Sequence, residues 1–256
     1  MNSVLTYCKI LKTNINVTNM TETVHYLIEN LDKLRGKYIC VANVHTTVMS
    51  YEDELYRRIQ NGAAMALPDG KPLSVVSQWM GYKQARKVSG PDLMPELFKA
   101  SQKNGYSHYF YGSTEETLEK LEKALRSQYP KLKIAGMYSP PFRNLSEEEK
   151  SRIIQKINET SPDFIWVGLG APKQEKWMAE NKDKVRGIMI GVGAGFDFHA
   201  GTIKRAPKWM QDLGLEWLYR LLQEPGRLWK RYLVTNLKFI FFIIRDQIRE
   251  KIQKRE

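Results

Sequence analysis

From Tyr38 onward, short apolar runs alternate with longer amphipathic stretches, and this alternation leaves few architectures open. Tyr38–Asn43, Ala63–Leu67, His108–Tyr111, Lys133–Tyr138, Phe164–Gly168 and Gly187–Val192 read as strands. Thr46–Gln60, Pro72–Met80, Leu93–Asn104, Thr114–Gln128, Glu147–Glu159 and Pro172–Asn181 read as the helices between them. Ser146 with Glu149 forms a capping-box pattern at one helix start, and Gly105 is placed to end another. Strands that alternate with helices join in parallel through crossovers, so the expected fold is α/β with a mainly parallel sheet flanked by helices. The first 20 residues add a small antiparallel element to this expectation.

The texture changes after about Gly201. The remainder is rich in Trp, Leu, Arg and Lys, reads as helical throughout, and is broken once at Pro225-Gly226. The chain is therefore expected to divide into an α/β domain over 1–200 and a basic, amphipathic helical appendage over 201–256. Residues 216–256 hold ten Lys or Arg against five Asp or Glu, and Phe239–Ile244 reads FIFFII between Lys238 and Arg245. Basic flanks around a short apolar run suit a helix lying in a lipid interface. Packing of FIFFII on the domain, with the charges as a solvated face, explains the same pattern.

The whole chain carries a formal net charge of +12, which favours an anionic partner: nucleic acid, a phospholipid surface or a phosphate-rich substrate. Cys8 and Cys40 have neither metal-binding spacing nor the density of a disulfide framework, so a reducing cytosol is expected. The N-terminus lacks the apolar stretch of a signal peptide, and no apolar run reaches the ~18 residues of a spanning helix.

In open α/β sheets ligands sit beyond the carboxyl ends of the strands. Leu67-Pro68-Asp69-Gly70 follows one strand, where Asp69 could take a proton from an attacking hydroxyl; on spacing alone an ordinary Pro-Asp-Gly turn is the more economical reading. Gly168-Leu-Gly170-Ala-Pro runs from a strand into a helix whose first turn holds Lys173 and Gln174, a design suited to an anion but equally to tight strand–helix packing. Gly112 and Ser113 repeat that design more faintly. The glycine-rich stretch from Gly191 to Gly201 suggests backbone held against a ligand or another segment, with Asp197 and His199 as sugar contacts or as plain loop residues.

Absences narrow the field. No Asp-x-Asp, G-x-x-x-x-G-K-[ST], G-x-S-x-G or Cys-x-x-Cys occurs, and His25, His45, His108 and His199 show no ligand-like pairing. A kinase, serine hydrolase or zinc enzyme would need unfamiliar machinery. A nucleic-acid-binding protein is permitted by the charge and the six tryptophans, but no RRM, KH or zinc-finger signature appears.

Taken together, VANVHT at 41–46, LPDG at 67–70, RKVSGPDL at 86–93, GLGAPKQEKW at 168–177, GVGAGFDFHAG at 191–201 and the run from Ala206 to Tyr232 resemble the WecG/TagA/CpsF glycosyltransferases. The resemblance covers nearly the whole chain. It implies an inverting, metal-independent transferase on a modified Rossmann-like fold, with a UDP-sugar donor, a polyprenyl-diphosphate-linked sugar acceptor and no cofactor. N-acetylmannosamine is the sugar it favours, with another hexose or a uronate as the competitor. By position, Asp69 matches the general base, Asn43 and Gln174 match pocket residues, and Arg220, Arg227 and Lys230 or Arg231 match basic residues placed over the diphosphate. Val41 stands where some members have threonine. The arginine before V-x-G is met by Lys87 or Arg86, and a lysine cannot copy a bidentate guanidinium. The resemblance implies a cytoplasmic protein, peripheral on the inner membrane face through an anionic surface, with no nucleic-acid partner; a homo-oligomer is a further expectation from the apolar appendage.

Overall fold

The computed structural model describes residues 5–253. It opens with an antiparallel hairpin of β1 (Tyr7–Ile10) and β2 (Thr13–Asn16). Leu11 and Lys12 between them both hold positive φ (46° and 67°), as a two-residue turn that follows the strand twist requires. Two helices, α1 (Met20–Glu29) and α2 (Leu31–Leu34), lead into the main sheet.

That sheet is built from β3 (Tyr38–Ala42), β4 (Met65–Pro68), β5 (Ser107–Gly112), β6 (Lys133–Tyr138), β7 (Phe164–Gly168) and β8 (Ile188–Gly191). Its order is β4-β3-β8-β7-β5-β6, and every neighbouring pair is parallel. The crossovers are α3 (Val44–Glu52) with α4 (Glu54–Asn61), α5 (Lys71–Trp79) with α6 (Gly90–Asn104), then α7 (Glu115–Gln128), α8 (Glu147–Glu159) and α9 (Lys173–Glu180). Successive strand residues enter opposite layers. Tyr38, Cys40, Ala42, Ile165 and Val167 pack on one face, and Ile39, Val41, Phe164 and Trp166 pack on the other. Both faces are covered, which is why the strands read as apolar runs rather than polar–apolar alternation.

The expected single helix over Thr46–Gln60 is two. Asp53 takes an extended backbone, and its carboxylate accepts from the N–H groups of Leu55 and Tyr56, starting α4 afresh. The expected capping box at Ser146 and the glycine stop at Gly105 are both present.

After β8 come α10 (Gly195–His199), α11 (Lys208–Leu213), α12 (Glu216–Gln223) and the long α13 (Pro225–Gln253). The helix α13 docks on α3. Phe242 stacks on Tyr51 with ring centroids 4.6 Å apart, Lys238 pairs with Glu52 at 2.6 Å, and Arg245 lies over the Tyr51 ring. The FIFFII run divides by helical spacing: Phe239, Phe242 and Ile243 turn toward the core, while Ile240, Phe241 and Ile244 face solvent. Among the described residues, no helix is long and apolar enough to cross a membrane.

Candidate active site

The carboxyl ends of β3, β4, β5, β7 and β8 open onto one cleft of 1880 Å³, roofed by α12 and α13. That exceeds the ~1,000 Å³ upper range of ordinary small-molecule pockets, so two substrates can share it. Its lining includes Asn43, Asp69, Lys87, Ser113, Gly170, Gln174, Asp197, Arg220, Arg227 and Arg231.

Asp69 leaves β4 with its N–H donating to the Ala42 carbonyl at 2.7 Å, while Pro68 accepts from the Val88 N–H at 2.8 Å. These bonds extend the ladder past the strand end and hold Asp69 at the cleft floor. Gly70 follows with φ of +82°, turning the chain sharply into α5. Pro-Asp-Gly thus turns the chain from β4 directly into α5. Burial, then the nearby carboxylates of Glu216 and Asp92, push the Asp69 carboxyl up to about 7, against the pull of Lys87 and Arg205. A carboxyl with that proton affinity is matched to general-base work near neutral pH.

Around it stand four charges, two from the segment before and within α6 and two from the segment after α10 that runs into α12. Lys87 Nζ lies 3.5 Å from Asp92 and 3.6 Å from Glu216, and Arg205 lies 2.7 Å from Asp92 and 3.2 Å from Glu216. Against the cost of burial, hydrogen bonds from Arg205 and Ser89 hold the Asp92 carboxyl down to about 2.

The C-terminal helices carry the opposing wall. Arg220, Arg227 and Arg231 face the cleft, and Glu224 pairs with Arg227 at 2.5 Å. The Nε atoms of Arg220 and Arg231 are buried without a hydrogen-bond partner. Burial, and then the charges of Arg220 and Arg227, lower the Arg231 pKa, with Tyr232 opposing. Crowded cations with idle donors are suited to an anion. His45, on α3, also lines the cleft, its pKa pushed to about 4 by burial and by Arg231, so it stands there neutral.

Gln174 is spoken for at both ends. Its amide donates to buried Glu175 at 2.8 Å, and its carbonyl accepts from the Gly193 N–H at 3.0 Å, which ties α9 to the glycine-rich loop after β8. Asn43 caps α3, its side-chain oxygen accepting from the Thr46 N–H at 3.1 Å within a full capping box. That leaves the Asn43 amide nitrogen for the cleft.

Five expected positions lie outside the cleft lining. Arg86 is exposed and turns its guanidinium onto the Lys83 and Ala85 carbonyls at 2.6 and 2.9 Å, so Lys87 alone reaches the site. Lys173 and Lys230 are exposed on the outer faces of their helices, which leaves Arg231 as the inward member of its pair. Gly112 is structural: a Cβ there would lie 2.6 Å from the Gly168 backbone, so the glycine permits β5 and β7 to close together. His199 is half-buried with its Nε2 at 2.9 Å from the Pro91 carbonyl, also outside the lining. Sequence reasoning missed Arg205, Glu216, His45 and Asp92. His45, Asp92 and Glu216 lie within the quoted motifs, but the charges they meet across the cleft come together only in the fold.

The chain matches the family described as Glycosyl transferase WecG/TagA/CpsF over residues 8–253. It is 29% identical over 236 residues to the N-acetylglucosaminyldiphosphoundecaprenol N-acetyl-beta-D-mannosaminyltransferase of Bacillus subtilis strain 168, covering 91% of this chain and 90% of that protein. The proteins of the same name from Bacillus spizizenii strain W23 and Staphylococcus aureus strain MW2 are 29% and 28% identical, with 79% and 89% of this chain covered and 77% and 85% of theirs.

Proposed function

The chain belongs to the WecG/TagA/CpsF family of glycosyltransferases, and from that premise we propose that it moves N-acetylmannosamine from a UDP-sugar to N-acetylglucosamine on undecaprenyl diphosphate. The relatives' names supply the acceptor and the sugar. The observation that carries the reading is the pairing, across one cleft, of a carboxyl with a pKa of about 7 and arginines with idle buried donors.

In this mechanism the acceptor hydroxyl attacks the anomeric carbon while Asp69 accepts its proton. The bond from that carbon to the diphosphate oxygen breaks on the opposite face, so UDP departs with the bonding electrons and the centre inverts once. Negative charge grows on the departing diphosphate. Arg220, Arg227 and Arg231 stabilise it from α12 and α13, in a site where preorganised donors act with little screening. Val41 contributes an apolar wall, so the test includes other donors: UDP-N-acetylmannosamine, UDP-N-acetylglucosamine, UDP-glucose and UDP-glucuronate are offered with a short-chain polyprenyl-diphosphate N-acetylglucosamine, and UDP release is read. Asp69→Asn is expected to remove at least ~100-fold of turnover, the contribution typical of a general base, while UDP affinity stays within about twofold. Full activity in that variant would refute the base assignment.

The enzyme is further proposed to work as a peripheral protein on the inner membrane face. Trp229, Leu233, Leu237, Ile240 and Ile244 recur at helical spacing along α13, each more than half exposed, and Lys230 is exposed nearby. Such a helix suits an anionic lipid interface. Four of these residues also border the cleft, so a lipid-linked acceptor would arrive beside the base.

A further inference from the structure

The four charges around Asp69 form a closed, alternating ring. Lys87 precedes α6, Asp92 lies on α6, Arg205 follows α10, and Glu216 opens α12. Each cation touches both anions, at 2.7–3.6 Å. All four side chains are between 22% and 32% exposed, so their contacts are sheltered from full solvent screening. The ring is neutral, and Asp69 sits beside it without a hydrogen bond to its side chain among the described residues. The other cation on the neighbouring helix α5, Lys71, is turned away: its amine donates to the Asp212 carbonyl at 2.7 Å.

Remove the Glu216 carboxylate and the balance changes. Asp92 alone would face Lys87 and Arg205, leaving one positive charge in excess. Lys87, whose two contacts are the longest in the ring, would be freed to turn toward Asp69. A carboxylate paired with an ammonium is a poor base.

We propose that Glu216 is a positioning residue for Asp69: it occupies Lys87 and Arg205, and so keeps these cations from neutralising the catalytic base. The charge that keeps Asp69 basic is carried by α12, outside the parallel sheet that holds Asp69 itself. Burial comes first in raising the Asp69 carboxyl, and the seated C-terminal helices add the Glu216 charge to it. This role deepens the mechanism above and rests on Asp69 being the base. It agrees with the direction in which Glu216 moves the Asp69 carboxyl.

The test is the pH profile of kcat/KM for the full-length Glu216→Gln enzyme, with UDP-N-acetylmannosamine and short-chain polyprenyl-diphosphate N-acetylglucosamine. The acid limb is expected to move down by about 1 pH unit, as when a carboxylate gains an unopposed cationic neighbour, with kcat reduced more than KM is raised. Glu216→Asp keeps the charge and is expected to return the limb toward the wild-type position, even where its melting temperature stays lowered. A limb that stays in place in Glu216→Gln, whether activity falls or not, overturns the role and leaves at most a structural contact. Asp69→Asn run alongside separates the two layers of argument: turnover in that variant sinks the base assignment, whereas an inactive Asp69→Asn with an unmoved Glu216→Gln limb sinks only the role of Glu216.

Discussion

Asp69 couples function to stability through its proton. Its folded pKa lies above the value of a free aspartate, so the group favours folding fully below about pH 4 and that contribution is lost as pH rises through about 7. At pH 8 the empty enzyme carries a desolvated carboxylate with no counterion of its own. Asp69→Asn, inactive by the mechanism above, is therefore expected to melt a few degrees higher than wild type at pH 8 and to show no such gain at pH 4, as read by calorimetry without substrate. An equal difference at both pH values would mean that the Asp69 proton affinity is ordinary. On spacing alone Asp69 read as an ordinary turn residue, and its match to a general base came from the resemblance of LPDG and the other motifs. Its basicity was not legible, because that depends on burial first and then on Glu216 and Asp92, which only the fold brings beside it.

At the scale of elements, caps and strand ends do most of the positioning. The Asn43 oxygen starts α3, the helix on which α13 docks, so one side chain serves both the cleft rim and the seating of the C-terminal helices. Loss of an N-cap costs about 1 kcal/mol. Asn43→Ala is expected to lower the melting temperature by roughly 2–4 °C. Asn43→Asp, which keeps the capping oxygen, should hold the melting temperature near wild type, so any rise in KM for that variant reports the lost amide donor. If both variants melt alike, the cap is not what Asn43 contributes. The break at Asp53 belongs to the same scale. The apolar period runs on through it, but an aspartate that accepts from two N–H groups outweighs that continuity.

For the molecule as a whole, α13 has one face on α3 and one face bare. Vesicles with and without anionic lipid test the bare face by sedimentation. Wild type is expected to bind the anionic ones, and Trp229→Glu, at an exposed position outside the cleft lining, to lose at least tenfold in binding while UDP affinity holds. A second copy of the chain could cover the same face; a concentration-dependent dimer with no vesicle binding would favour that instead. High salt should weaken the anionic component, since exposed charges are screened beyond ~8–10 Å.

The residue pattern alone determined the parallel α/β sheet, the two layers on its faces, most helix bounds and the helical C-terminal stretch. Burial is periodic along a strand or helix, so it is written into neighbouring letters. It also marked the loops after β4, β7 and β8, because ligand loops follow strand ends. Which cation faces the cleft, Lys87 rather than Arg86 and Arg231 rather than Lys230, was settled only by tertiary structure, as was the ring that unites Lys87, Asp92, Arg205 and Glu216. Charge pairing has no period: it depends on where separate elements meet in space, and a single Lys or Glu reads the same in every register until the chain is folded.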